Sequence, residues 1–507
     1  MTVVVCLGLL VACQSTSSGV VTGTAVEIPG TSGVPTTAGS STTTGSTSTS
    51  SVSSLQWTAS DTDGVQTSSL KVPFDYNDPS KGEFDLFLAR HLADPKQRIG
   101  SLLVNPGGPG FGGSDLAFSA SNVYNKSLLD HFDIVAWDPR GTGESTPYID
   151  CVSNYDHFFN SVDITPDTPA ARQHAIDIAK EFEHQCELNN GSFLQYVGTN
   201  NSARDMDSIR KALGEATISY FGFSYGSELG AVWATLFPRT VRAMVIDGAS
   251  DPTASSDQSG VEQAQGFEHS FNTFLAQCSA KSSCAFHNDG KAEAAYDALA
   301  KSIDATPIAT KSGRPNANLA MLITAVSDAM YSDQSWPALA TALKKAQAGD
   351  GSGLLGLSDD YYQRRSDGTY DNSLEAFQVI SCADTPDRPT VADDDAASAM
   401  YRKVAPRLSP GTIGSYFCTF FPKALDPEVT ITGKGAGSVV VVGTTGDPAT
   451  PLAGTRQMAR TLEGGHLVVV KADQHTGYGA NSCVDDAVDQ YLIDPKGHVP
   501  ADETTCS

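Results

Sequence analysis

The sequence predicts an α/β fold, a mostly parallel central sheet interrupted by a large, mainly helical insertion. Three observations carry this. From Leu55 to Asp251 short apolar runs alternate with helix-like stretches, the rhythm of strand–helix–strand units. Over residues 252–430 long helix-like pieces such as "VEQAQGFEHSFNTFLAQC" and "AEAAYDALAKSI" take over. The apolar runs then resume in "GSVVVVGTTGD" and "GHLVVVKAD". One unit split by an insertion explains this order more simply than three independent domains: a core of 55–251 and 431–507, with a helical insertion at 252–430. No internal repeat appears.

The start of the chain has its own character. "MTVVVCLGLLVAC" is apolar but shorter than the roughly 20 residues a membrane span needs. It reads as the apolar part of a signal peptide over residues 1–12. "LVAC" resembles a bacterial lipobox, which makes Cys13 the first mature residue and the lipidated one; no Lys or Arg precedes the run. Residues 13–54 are rich in Ser, Thr and Gly and carry one charge, Glu27. Such a stretch buries too little apolar surface to offset its chain entropy and is expected to be a flexible tether. The expectation is an exported chain of the cell envelope, on the extracytoplasmic face of the membrane and attached through a lipid anchor only, with a shed or secreted form as the alternative.

The folded part then follows element by element. "GEFDLFLARHLA" alternates apolar and polar residues and reads as an early strand. "IGSLLVN" and "FDIVAW" are buried strands, the first running into the glycine-rich "PGGPGFGG". "TNNSARDMDSIRKALGE" reads as a helix capped by Asn201 or Ser202. "TISYFGF" and "VRAMVIDGAS" supply two more strands before the insertion.

Composition excludes some functions. The 507 residues carry 58 acidic and 33 basic side chains, a net charge of −25. No excess of cations exists to neutralise phosphates, so nucleic acid is not an expected partner. Eight cysteines follow Cys6 and Cys13, and an even number in an exported chain points to disulfides. No CxxC pair appears, so no zinc site is expected. Eight cysteines allow on the order of 100 connectivities. The sequential set Cys151–Cys186, Cys278–Cys284, Cys382–Cys418 and Cys483–Cys506 is preferred, although only Cys278–Cys284 follows from close spacing. Oligomeric state is not legible.

The chemistry centres on "GFSYG", residues 222–226, between the strand "TISYFGF" and the helix-like "SELGAVWATLFP". GxSxG at a strand-to-helix turn is the nucleophile-elbow pattern of α/β-hydrolases. Alone it is weak, because a chain rich in Gly and Ser matches it by accident. A serine hydroxyl needs a base to take its proton and a carboxylate to orient that base. In this fold the chain order is Ser, acid, His, each after a strand. Ser224, Asp447 and His475 fit that order. Asp473 is a rival acid, too near His475 in sequence for the usual geometry. His466 begins a strand, His498 lies in the terminal tail, and His269 and His287 lie in the insertion. The oxyanion donors expected are the amides of Tyr225 and Gly108; Pro109 has no N–H to give.

Together, "LLVNPGGPG", "FDIVAWDPRGTGEST", "YFGFSYGSELG", "VRAMVIDGASDP", "TTGDPATP" and "DQHTGYG" resemble segments of the exported tripeptidyl-aminopeptidase-type serine hydrolases of actinobacteria. These belong to the prolyl-aminopeptidase-like α/β-hydrolases, and the likeness extends to mycobacterial cell-envelope carboxylesterase and serine protease lipoproteins. The resemblance implies Ser224 as nucleophile, His475 as general base and acid, Asp447 as its orienting partner, and a helical cap over 252–430. It implies peptide substrates cleaved from the amino end, with ester hydrolysis as a side activity. The chemistry calls for no metal or organic cofactor. Related chains often carry a cysteine pair before the first strand, which "WTASDTDGVQTSSLKVPFDY" lacks. Three functions fit the sequence: a peptidase, a carboxylesterase or lipase with the same three residues, and a non-catalytic envelope scaffold. An aminopeptidase also needs acidic groups for the substrate ammonium. Glu228, one turn past Ser224, is one candidate, against the plainer reading of an exposed helix glutamate.

Overall fold

Each apolar run named above from Leu55 onward becomes a strand of one sheet. The computed structural model describes residues 55–507; the segment 1–12, Cys13 and the tether to residue 54 lie outside the described residues. In chain order the strands are β1 (Thr58–Ala59), β2 (Val65–Pro73), β3 (Glu83–His91), β4 (Gly100–Asn105), β5 (Phe132–Trp137), β6 (Ile218–Phe223), β7 (Val241–Asp247), β8 (Val439–Thr444), β9 (Gly465–Val470) and β10 (Thr504–Cys506). Their spatial order is β1-β2-β3-β5-β4-β6-β7-β8-β9-β10. The pairings from β1 through β3 to β5 are antiparallel. All those from β5 onward are parallel.

Parallel strands covered on both faces carry continuous apolar runs. All six residues of β4, of β5 and of β8 are buried. Alternate residues point to opposite faces. Leu103 and Val135 join the core beneath the helix Tyr225–Leu236 and the helical insertion. Leu102, Val104, Ile134 and Ala136 join the opposite core with the helices Lys126–His131 and Ser482–Ile493.

The helical layer lies between β7 and β8 and includes the helices Ser256–Ala280, Ala292–Ala305, Leu319–Met330 and Ser373–Asp384. It also draws on residues before the insertion. The helix Pro169–Asn190, between β5 and β6, sets Phe182 against Phe417, with ring centroids 4.9 Å apart. Disulfides join Cys151 to Cys186, Cys278 to Cys284, Cys382 to Cys418, and Cys483 to Cys506.

One helix start differs from the sequence expectation. The helix begins at Thr199, so Asn201 and Ser202 fall inside its first turn rather than capping it. The reason is tertiary. Asp384 accepts hydrogen bonds from the Thr199 backbone N–H at 2.7 Å and from its hydroxyl at 2.6 Å, doing from the insertion what a local cap would do.

The loop after β5 is anchored by Arg140, whose guanidinium makes a two-pronged bond to Asp205 at 2.7 and 2.6 Å. Both side chains are fully buried. Arg140 also donates to the carbonyls of Phe74 and Tyr196. Removing one partner of a buried ion pair costs ~3–5 kcal/mol. Arg140→Met is therefore expected to lower the thermal unfolding midpoint by several degrees. A midpoint equal to wild type would contradict this role.

Candidate active site

β6 delivers Ser224 at its C-terminal end, and the next residue starts the helix Tyr225–Leu236. Ser224 has φ 55° and ψ −126°, a backbone state that residues with a Cβ rarely adopt. Its surroundings are closely packed. A Cβ on Gly222 would fall 2.2 Å from the Gly226 carbonyl oxygen, and one on Gly226 would fall 2.8 Å from the Asn105 carbonyl oxygen. Tyr220 Oη donates to the Gly226 carbonyl at 2.7 Å, and the Ser224 N–H donates to the Asp247 carbonyl at 2.8 Å.

Asp447 follows β8 and His475 follows β9, neighbouring parallel strands. His475 Nδ1 lies 2.9 and 3.0 Å from the two Asp447 oxygens. The carboxylate is held by further donors: the N–H groups of Ala449 (2.9 Å), Thr450 (2.8 Å) and Thr476 (3.3 Å), and the Thr450 hydroxyl (3.0 Å). Ser224, Asp447 and His475 are all buried, at 4, 4 and 8% exposure. A dry setting of this kind strengthens each electrostatic contact. The His475 N–H donates to the Tyr331 carbonyl at 2.9 Å, and the two rings meet edge to face at 5.7 Å. The helical layer thus touches the histidine directly.

The loop after β4 lies against the serine turn. A Cβ on Gly107 would sit 2.9 Å from Ser224 Cβ and 3.0 Å from the Tyr225 nitrogen. The Gly107 N–H is occupied by Asn105 Oδ1 at 2.9 Å. Gly108 is the next amide of the buried loop. The loop is backed by the helix Ser373–Asp384, since a Cβ on Gly110 would meet the Ser373 carbonyl at 2.3 Å.

Residues 100–479 match the α/β-hydrolase fold family. The chain belongs to that family. It is 35% identical over 454 residues to serine protease Hip1 of Mycobacterium tuberculosis, with 85% of each chain covered. It is 36% identical over 462 residues to carboxylesterase B of the same organism, with 88% of each covered. It is 30% identical to tripeptidyl aminopeptidase of Streptomyces lividans, covering 87% of this chain and 84% of that one. The α/β-hydrolase described here is accordingly a serine-hydrolase-type enzyme acting on peptide or ester substrates.

The remaining candidates fall away from this centre. Asp473 and His498 are exposed, and His269 lies exposed on the helix Ser256–Ala280. His287 bonds the Cys278 carbonyl, and His466 sits at the start of β9. Glu228 is not a lone exposed glutamate: it is half-buried, and its charge acts on both Glu428 and Asp384. Burial pushes the Asp384 carboxyl up to about 7 against its Thr199 bonds, and Glu228 adds to the rise. Burial and then Glu228 also raise Glu428 well above the usual carboxylate range. Thr199 in turn bonds the hydroxyl of Tyr225, the residue after Ser224. Sequence reasoning missed Asp384, Glu428, Tyr331 and Asp247. Only Asp247 left a signal, a carboxylate ending an apolar strand.

A mostly apolar cavity of about 200 Å³ opens within the helical layer, lined among others by Phe159, Ile178, Ile323, Tyr362 and Phe417; Ser224, Asp447 and His475 do not line it. Among the described residues, no cluster of three or more His, Cys, Asp or Glu side chains is arranged to hold a metal.

The tight turn has a direct test. Gly222→Ala forces a methyl into the Gly226 backbone, an overpacking that costs about 1–3 kcal/mol. The expected outcome is a folded protein whose fluorophosphonate labelling falls at least tenfold. Wild-type labelling would mean that the turn tolerates a side chain.

Proposed function

We propose that this hydrolase is an exported serine peptidase that releases short peptides from the amino end of its substrates. The observation that carries the reading is the buried Asp447–His475 pair beside a strained turn bearing Ser224. In the proposed cycle Ser224 Oγ attacks the substrate carbonyl carbon while His475 Nε2 takes its proton. Asp447 holds the Nδ1–H and stabilises the imidazolium. The amides of Tyr225 and Gly108 receive the oxyanion. His475 then protonates the leaving amine. Water, deprotonated by His475, attacks the acyl-enzyme, and Ser224 leaves with its proton restored.

The acidic group supports an amine-directed specificity. Glu228, Glu428 and Asp384 gather beside the first turn of the helix that follows Ser224. Burial first, and then the charge of Glu228, raises the proton affinity of Asp384 and Glu428, and a substrate ammonium relieves that repulsion. A second reading, an esterase, is favoured by the 36% identity to carboxylesterase B. Export and a lipid on Cys13 fit the "LVAC" sequence. The pairing of all eight later cysteines suits an oxidising compartment. Among the described residues, no helix is long and apolar enough to cross a membrane.

Three substrates separate the readings: a tripeptide anilide with a free amine, the same compound N-blocked, and an aryl ester. The free peptide is expected to be cleaved at least tenfold faster than the blocked one, and Glu428→Gln is expected to erase most of that ratio. Equal rates on both peptides would remove the aminopeptidase reading, and turnover of the ester alone would establish the esterase. The intact mass of the mature N-terminus checks the lipid on Cys13; an unmodified or uncleaved terminus refutes it.

A further inference from the structure

Asp247 ends β7, between β6 and β8, and is fully buried. A buried carboxylate is costly unless donors meet its oxygens. Here the donors come from one place: the N–H of Gly477 at 2.8 and 3.0 Å and the N–H of Tyr478 at 2.8 Å. These are the second and third residues after His475. The main-chain carbonyl of the same Asp247 accepts the Ser224 N–H at 2.8 Å and the Ser227 hydroxyl at 3.0 Å. One residue therefore bonds both the serine turn and the histidine loop.

Four consecutive amides of that loop are committed. His475 N–H goes to the Tyr331 carbonyl, Thr476 N–H to Asp447, and the next two to Asp247. Thr476 sits at φ 68°, so the turn needs outside support. Asp447 supplies it on the ring side and Asp247 on the sheet side. The Gly477 backbone is also pressed against β8 and β9, since a Cβ there would meet Val442 Cγ1 and Val470 Cγ2 at 2.8 Å.

We propose that the Asp247 carboxylate is a positioning residue, holding the His475 loop in register with Ser224 without touching the substrate. This rests on the reading of Ser224, His475 and Asp447 given above. Positioning requires the ionised form, because a protonated carboxyl loses an acceptor. Burial pushes the Asp247 carboxyl up to about 6, while the Tyr478 and Gly477 amides and His475 pull it down and Asp447 pushes it up. His475 and Asp447 are the charged groups that face it. The turn after β6 brings Ser224 and Ser227, and β8 brings Val442, none of them charged. The folded state thus binds this proton more tightly than the unfolded chain does. The stability contributed by Asp247 is present on the acid side and is lost as pH rises through about 6. Activity moves the other way and is lost as pH falls through the same range.

The test uses the full chain carrying Asp247→Asn. The amide keeps the volume but sets an N–H₂ against one of the two loop amides. Turnover per fluorophosphonate-labelled site is expected to fall ~10–100-fold, with KM within about twofold. Wild-type turnover per labelled site, with the loss confined to the number of sites, would overturn the proposal. If the variant does not accumulate as folded protein, Asp247→Glu, which keeps the charge but displaces the carboxylate, carries the test: a tenfold or greater fall in turnover per labelled site supports the proposal and wild-type turnover overturns it. Ser224→Ala and His475→Ala run alongside. Wild-type turnover in either would sink the underlying catalytic reading, whereas two inactive controls beside an unimpaired Asp247→Asn would sink the Asp247 role alone.

Discussion

A residue with a Cβ held at φ 55° has to be held there from outside, and much of this hydrolase is arranged around that one backbone angle at Ser224. Such strain costs on the order of 1–3 kcal/mol and persists only where neighbours over-determine it. Gly222 and Gly226 make room, Tyr220 clasps the Gly226 carbonyl, and Asp247 takes the Ser224 N–H. The glycine loop after β4 closes the remaining side. The same turn sets the Ser224 side chain at the end of a buried strand and starts a helix at the next residue.

The second constraint is electrostatic. Only 18% of the residues are charged, yet carboxylates recur where the chain is driest, and several have a structural partner. Asp447 takes the His475 ring, Asp247 takes the loop beyond it, and Asp205 takes Arg140. Glu375, on the helix behind the glycine loop, takes the Cys151 N–H, and burial pushes it up to about 8. Asp384, at the end of the same helix, takes Thr199. The helical layer is therefore bonded to the loops and the helix that flank the sheet. Tyr331 completes the connection by accepting the His475 N–H.

The sequence shows the sheet's centre because parallel strands buried on both faces cannot hide their apolar runs. It shows Ser224, Asp447 and His475 as strand-end residues for the same reason. β1, β2 and β10 escape it. β1 and β10 are two and three residues long, and β2, "VQTSSLKVP", is half polar and defined mainly by its pairing with β3. The start of the helix at Thr199 is hidden because its cap comes from Asp384, far along the chain. The acidic group around Glu428 is hidden likewise, as its members come from three separate segments. Asp247 stands in plain view at the end of "VRAMVID", but its partners are backbone amides, which a sequence does not show.

The central claim is that Ser224 is the residue that forms the acyl-enzyme, and the site of covalent attack tests it most directly. The full chain, reacted with a fluorophosphonate, digested and sequenced by tandem mass spectrometry, is expected to carry one adduct, on Ser224. An adduct confined to any other residue, with Ser224 unmodified in fully inhibited enzyme, would contradict the account.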